Sequence, residues 1–126
     1  MLHPDQFEVN EAWIAFKLNG QPLHTEQDGD FDFYALMDAA SCFILGSQTV
    51  SADNAEPGQL DSRRLLQQAY EHKEQWPATL FVPREQTAAR LVAEAEKLGI
   101  HVIRVPDAQL LPFTGEARQG FRERFG

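Results

Sequence analysis

Hydrophobic positions along the chain follow two rhythms, one of period two in the first fifty residues and one of helical spacing after residue 60. Glu11 to Leu18 reads as a first strand with Trp13, Ile14 and Phe16 as its apolar content. Asn19-Gly20 is a two-residue hairpin signal, which predicts a return through Gln21 to Thr25 as a short partner. Glu26 to Asp30 is too polar for a core and is expected to be a loop or an exposed strand end. Phe31 to Asp38 places Phe31, Phe33, Ala35 and Met37 on one face and Tyr34 and Leu36 on the other. Both faces are apolar, as in a strand covered on both sides. Asp38-Ala39-Ala40-Ser41 then turns the chain, and Cys42 to Val50 returns as the second arm of a hairpin.

Ser51 to Gly58 carries Asp, Asn, Pro and Gly and reads as a loop. A helix is predicted over Leu60 to Gln75, with Asp61 or Ser62 as its cap and Leu65, Leu66, Ala69 and Tyr70 as its apolar stripe. Ala78 to Val82 is a short buried strand. From Glu85 to Leu98, Ala88, Leu91, Val92, Ala95 and Leu98 recur at helical spacing, and Gly99 stands where a helix-ending glycine belongs. Ile100 to Val105 is a further strand, stopped by Pro106. After Leu110-Leu111-Pro112, Thr114 is placed to cap a last helix whose apolar edge is Ala117, Phe121 and Phe125.

The main elements therefore run β-β-β-α-β-α-β-α. Ala78 to Val105 is a βαβ unit, whose strands must lie parallel with a right-handed crossover. The expected fold class is α/β: one mixed sheet, antiparallel in its first half and parallel in its second, with helices packed on it. No internal repeat or linker interrupts the pattern, so residues 1–126 are expected to form a single domain. With 43% hydrophobic residues and 24% charged, the chain is outside the disordered and coiled-coil classes. No apolar run approaches the roughly 20 residues of a membrane helix. Met1-Leu2-His3-Pro4-Asp5 has neither the charged start nor the apolar stretch of a signal peptide.

Charge narrows the partners. Residues 1–60 hold ten carboxylates against Lys17 alone, a net of −9, while residues 61–126 hold nine carboxylates and ten bases, a net of +1. Such a first half would repel phosphates, which disfavours a nucleic-acid partner. Cys42 has no second cysteine with which to form a bridge, which fits a cytoplasmic setting. Its apolar neighbours make it a small core residue rather than a nucleophile, which would need a base beside it.

The candidate chemistry is sparse. Glu26, Asp28, Asp30 and Asp32 recur at period two, but counting a calcium loop from Asp28 puts Phe33 and Ala39 where Gly and Glu are required. An exposed acidic loop explains them. Asp38 ends an apolar strand, and its carboxylate is expected to accept a backbone N–H from Ala40 or Ser41. His3, His24, His72 and His101 show no pairing at ligand spacing. Glycine-rich nucleotide loops and the nucleophile-elbow motif are absent from the sequence. No metal site, cofactor or catalytic set is expected. On the last helix, Arg118 and Arg122 share a face one turn apart, with Arg124 close by. With Phe121 and Phe125 they form a candidate interaction surface, since arginine is enriched at interfaces.

Three antiparallel strands, a helix, and then parallel strands separated by a helix is similar to the RNase H-like fold of integrase and transposase cores. The run Tyr34 to Gly46 resembles their second-to-third-strand hairpin, in which an Asp-x-x-Ser turn leads into an apolar strand ending near Gly. Trp13 stands where such cores often carry a first-strand Trp, and Lys97-Leu98-Gly99-Ile100 resembles the approach to their last strand. The resemblance implies two divalent ions held by carboxylates on the first strand, after the fourth strand and on a late helix, for two-metal phosphoryl transfer. In this chain the first-strand position, three residues after Trp13, is Phe16. After the fourth strand come Pro83, Arg84 and Glu85, and only Glu116 can be offered on the late helix. The resemblance thus implies the scaffold and argues against the chemistry.

The function expected from these residues is that of a non-catalytic domain on an integrase-core-like scaffold, working through protein association, as a homodimer or with another protein. The alternative is a metal-dependent nuclease or phosphotransfer enzyme using Asp38 with Glu85 or Glu116. A third reading is a small-ligand binding module, with its pocket beside the C-terminal ends of Ala78–Val82 and Ile100–Val105.

Overall fold

The computed structural model describes residues 2–20, 23–26, 29–54 and 56–125, without the side chains of Thr25 and Phe125. Six strands, β1 (Ala12–Lys17), β2 (Leu23–Thr25), β3 (Gly29–Asp38), β4 (Ile44–Ser51), β5 (Thr79–Pro83) and β6 (His101–Val105), form one sheet. Among the described residues, three α-helices accompany it: α1 (Gln59–Lys73), α2 (Ala89–Lys97) and α3 (Asp107–Phe125).

Strand β3 organises the first half. Residues 31–37 pair antiparallel with β4, and the other edge carries β1 opposite residues 34–38 and β2 opposite residues 29–31. β5 lies parallel to β1, and β6 parallel to β5. The sheet is therefore antiparallel in its first half and parallel in its second, with β1 as the strand that joins them, and its class is mixed α/β.

One hairpin expectation fails. Asn19-Gly20 does not fold β2 back onto β1, because β2 continues in line with β1 along the same edge of β3. Neither residue takes the positive φ that a tight hairpin turn requires. Leu18 N–H donates to Phe33 O at 2.8 Å, and the Asn19 side chain then extends the ladder by accepting the Phe33 N–H at 2.8 Å. The first predicted residue of that partner, Gln21, lies outside the described residues.

The two faces of the sheet bury two separate cores. Trp13, Ala15, Tyr34, Leu36, Leu80 and Val82 point to α1 and α2, which contribute Leu65, Leu66, Ala69, Leu91 and Ala95. Ile14, Phe16, Ala35, Met37 and Phe81 point the other way, to Leu110 and Phe113 of α3, and Phe7 packs there edge-on to Phe81. Burying each such aliphatic side chain contributes about 1.5–3 kcal/mol before entropy is counted. On β4, Leu45 is an extra residue, with Leu36 opposite Gly46 and Met37 opposite Ile44. A Cβ on Gly46 would sit 2.9 Å from Gln68 Cβ, so glycine there lets α1 lie close on the strand.

Helix boundaries shift from their expected places for visible reasons. α1 is capped by Gly58, and neither Asp61 nor Ser62 caps it. Asp61 instead accepts from Gln48 Nε2 at 3.2 Å. α2 begins at Ala89, four residues later than its pattern suggests, where Glu56 reaches across from the loop before α1 and accepts the Arg90 N–H at 2.8 Å. Gly99 closes it at φ +81°, a conformation glycine takes without strain. α3 begins at Asp107 and runs through Pro112, so Thr114 does not cap it. Thr114 is buried and donates its hydroxyl to Leu110 O at 3.1 Å.

Candidate functional site

The parallel strands β1, β5 and β6 end side by side, at Lys17, Pro83 and Val105, and the segments that follow them enclose a cleft of about 600 Å³. In open α/β sheets, the crevice beyond the carboxyl ends of the strands is where ligands bind. Arg118 is its central side chain. It donates to the Asp107 carboxylate through Nη1 at 3.1 Å and Nη2 at 3.0 Å, and to Lys17 O through Nε at 3.1 Å. Its guanidinium lies 5.4 Å from the centre of the Phe16 ring. Glu85 accepts the Asp107 N–H at 3.0 Å and so fastens the start of α3.

Gln86 joins the other two strands. Its Oε1 accepts the Lys17 N–H at 3.0 Å, and its own carbonyl accepts from Arg104 on β6. Tyr34 also lines the cleft, and burial, helped by the charges of Asp32 and Glu56, pushes its hydroxyl above the ordinary value of 10.0. Nothing in the sequence pattern marks Lys17, Asn19, Gln86 or Asp107 as a site residue. Their one signal is position, since each lies within a few residues of the C-terminal end of a strand.

Asp38 lies at the other end of the sheet, opposite Trp13 at the start of β1. It is fully buried. Its Oδ1 accepts the Asn10 N–H at 2.7 Å, and its Oδ2 accepts the Ser41 N–H at 2.9 Å and the Ser41 hydroxyl at 2.7 Å. The carboxylate is a bracket for the turn, and Ser41 is one of the two partners expected for it. Asn10 and Cys42, on either side, take positive φ of 65° and 60°. Cys42 is therefore a turn residue, half-buried, and not part of the strand in which its apolar neighbours placed it. Burial, with Glu116 and Asp38 adding to it, raises its thiol above the usual 9.0.

The acids proposed for an enzyme therefore do not meet as a set. Asp38 and Glu85 occupy opposite ends of the sheet. Glu116 is exposed on α3, toward Cys42. Asp32, from the acidic run, is buried and bonded to Asn19 Nδ2 at 2.9 Å, and Asp30 meets His24 at 2.6 Å. Asp28 lies outside the described residues.

Of the candidate interaction surface, Arg118 and Phe121 are engaged within the fold. Arg118 bridges Asp107, and Phe121 packs at a tilt against Phe33 with ring centres 5.1 Å apart. Arg122 is exposed at the cleft mouth, Arg124 is exposed beyond it, and the Phe125 side chain lies outside the described residues.

The residues present do not fit the metal pair that integrase cores hold. Magnesium requires oxygen ligands, and at the first-strand position Phe16 is buried beneath a guanidinium. The two carboxylates of the cleft, Glu85 and Asp107, are spent on the N-terminus of α3 and on Arg118. Among the described residues, no group of three or more His, Cys, Asp or Glu side chains is placed to hold a metal ion.

No protein-family model matches the chain, and no curated protein matches it in sequence. Solved structures do. One is a chain of the cryo-electron microscopy structure of a simian T-cell lymphotropic virus intasome in complex with PP2A regulatory subunit B56 gamma. It is similar with a TM-score of 0.59 at 10% identity, over 91% of this chain and 39% of that one. The catalytic core domain of BIV integrase is also similar, at 15% identity over 91% of this chain and 63% of that one, but its TM-score of 0.47 carries no weight. The present chain thus spans about two-fifths of the length of the first structure and under two-thirds of the second. Its fold is integrase-core-like. Among the described residues no helix is long and apolar enough to cross a membrane.

Proposed function

We propose that this chain is a non-catalytic domain on an integrase-core-like scaffold that works by associating with a second copy of itself. The observation that carries this reading is that, of the five large apolar side chains left exposed among the described residues, three lie at the Asp38 end of the sheet. Val9 is 61% exposed, Phe43 55% and Leu98 40%. Val9 adjoins Asn10, which bonds to Asp38, and Phe43 follows the Asp38 turn and meets His72 of α1 edge-on. Leu98 ends α2 beside Trp76, at the same end. Apolar side chains gathered in this way mark association surfaces more often than scattered ones do.

A two-fold dimer would use this end of each molecule once, so that Phe43 meets the same region of its mate. The single cysteine fits a cytoplasmic setting. Sedimentation velocity of the wild type and of Phe43→Asp, at low and high salt, tests the proposal. The expected result is a dimer that persists at high salt and is lost in Phe43→Asp. A monomer at high micromolar concentration in both buffers would overturn it.

The enzyme alternative has less support, because Asp38, Glu85 and Glu116 do not form one cluster. A plasmid-cleavage assay with magnesium or manganese tests it directly.

A further inference from the structure

The cleft beyond β1, β5 and β6 contains more donors than the fold uses. The orientation of the Gln86 amide is settled by its neighbours, since the Lys17 N–H needs Oε1 as its acceptor. Nε2 is then a donor, and it is buried in the cleft wall with no partner among the described residues. Buried donors are almost always satisfied, so this one points to an acceptor that comes from outside the chain.

The charges agree. Both carboxylates in the cleft are occupied, Glu85 by the Asp107 N–H and Asp107 by Arg118. Lys17 Nζ stands 4.0 Å from Asp32, at the limit of an ion pair. Arg122, one turn beyond Arg118, is exposed at the same cleft with no ion pair among the described residues. Cationic donors from two elements thus face one space, in a chain whose first sixty residues carry a net of −9.

We infer that this cleft binds an oxyanion, a phosphate or carboxylate group carried by a small organic molecule, between Lys17, Arg122 and the Gln86 amide. Its volume of about 600 Å³ suits a small molecule. A long polyanion would meet the acidic first half and be repelled. The Tyr34 and Thr87 side chains line the same cleft and offer hydroxyls to the rest of the ligand. This site is at the opposite end of the sheet from the association surface and does not depend on it.

The test is a titration of the full chain with sodium phosphate, and separately with citrate, at fixed ionic strength, followed by nitrogen-resolved NMR. A saturable shift of the Gln86 side-chain amide is expected with at least one anion, and whichever produces it identifies the group. Arg122→Glu should weaken binding about tenfold or more, the loss expected for a charge-assisted contact, without changing the melting temperature. Arg122→Lys should keep most of the affinity. The inference is overturned if neither anion moves the Gln86 amide, or if Arg122→Glu leaves the affinity unchanged. It is also overturned if a single-stranded oligonucleotide binds more tightly than either anion and spreads its shifts onto Arg84 and Arg124.

Discussion

Arg118 holds Asp107 through two hydrogen bonds of 3.1 and 3.0 Å, although the residues are eleven positions apart on one helix. A straight α-helix would separate them by roughly 16 Å along its axis, more than the two side chains can span. α3 must therefore bend. Pro112, which lacks an N–H, and Thr114, which bonds back to Leu110 O, lie between them and supply the cause. The bend brings Arg118 over Phe16 and forms one wall of the cleft.

Arg118→Ala should lower the unfolding free energy by about 1.5–3 kcal/mol, the range for hydrogen bonds to charged partners in partly buried sites. Urea denaturation measures it. A loss under about 0.5 kcal/mol would mean that the pair behaves as an ordinary exposed ion pair and does not hold the helix.

Asp38→Ala should be costlier, at least about 3 kcal/mol, because it leaves two backbone N–H groups and a hydroxyl without their acceptor. Asp38→Asn keeps one acceptor oxygen and should lose less. Chemical denaturation of both variants gives the comparison. Equal stability in all three proteins would refute the bracket.

Phe121→Asp should destabilise the fold by about 2–4 kcal/mol, since it removes the ring that packs on Phe33 and sets a carboxylate against that half-buried aromatic. Phe43→Asp should change stability by less than about 1 kcal/mol, as expected for a half-exposed position. Thermal melts of the two variants at matched concentration separate a packing role from an association role.

Glu94 should give stability that disappears in acid. Hydrogen bonds from Lys97 and then Arg63 hold its carboxyl below the ordinary 4.5 in the folded chain, against the opposing effect of burial. The unfolded chain binds this proton more readily. The contribution is therefore complete above the unfolded value and is lost as pH falls through the lower folded one. Glu94→Gln should flatten that acid limb in denaturation measured across pH. An unchanged limb would remove Glu94 as its source.

Cys42 should alkylate slowly near neutral pH, because its raised thiol holds little thiolate. Glu116→Gln removes a negative charge that raises it, so the thiol should fall toward 9.0 and react faster. Iodoacetamide kinetics against pH report both. A rate that does not respond to Glu116 would place the cause in burial and Asp38.

Period-two and helical spacing were enough to read the sheet strands, the two-sided burial of β3 and the apolar face of α2, because these patterns record which side chains leave water. Gly99 and the Asp38 turn were legible for a related reason, since each meets a backbone demand within a few residues. The order of the elements, read from these patterns, carried the resemblance to integrase cores. That resemblance in turn marked Phe16 as the residue that breaks the family's chemistry.

Long-range contacts set the rest. Asn19-Gly20 has the local chemistry of a hairpin, but the ladder of β3 captures the chain instead and keeps β2 in line with β1. Glu56 and Glu85 cap α2 and α3 from 34 and 22 residues away, so no local pattern could show where those helices begin. Arg118 and Phe121 had the composition of an interface until the bend in α3 turned them inward. The sequence alone determined which segments bury apolar area. Only the tertiary structure decided which polar side chains meet, because a hydrogen bond needs its partner within about 3 Å, and distance along the chain does not determine distance in space.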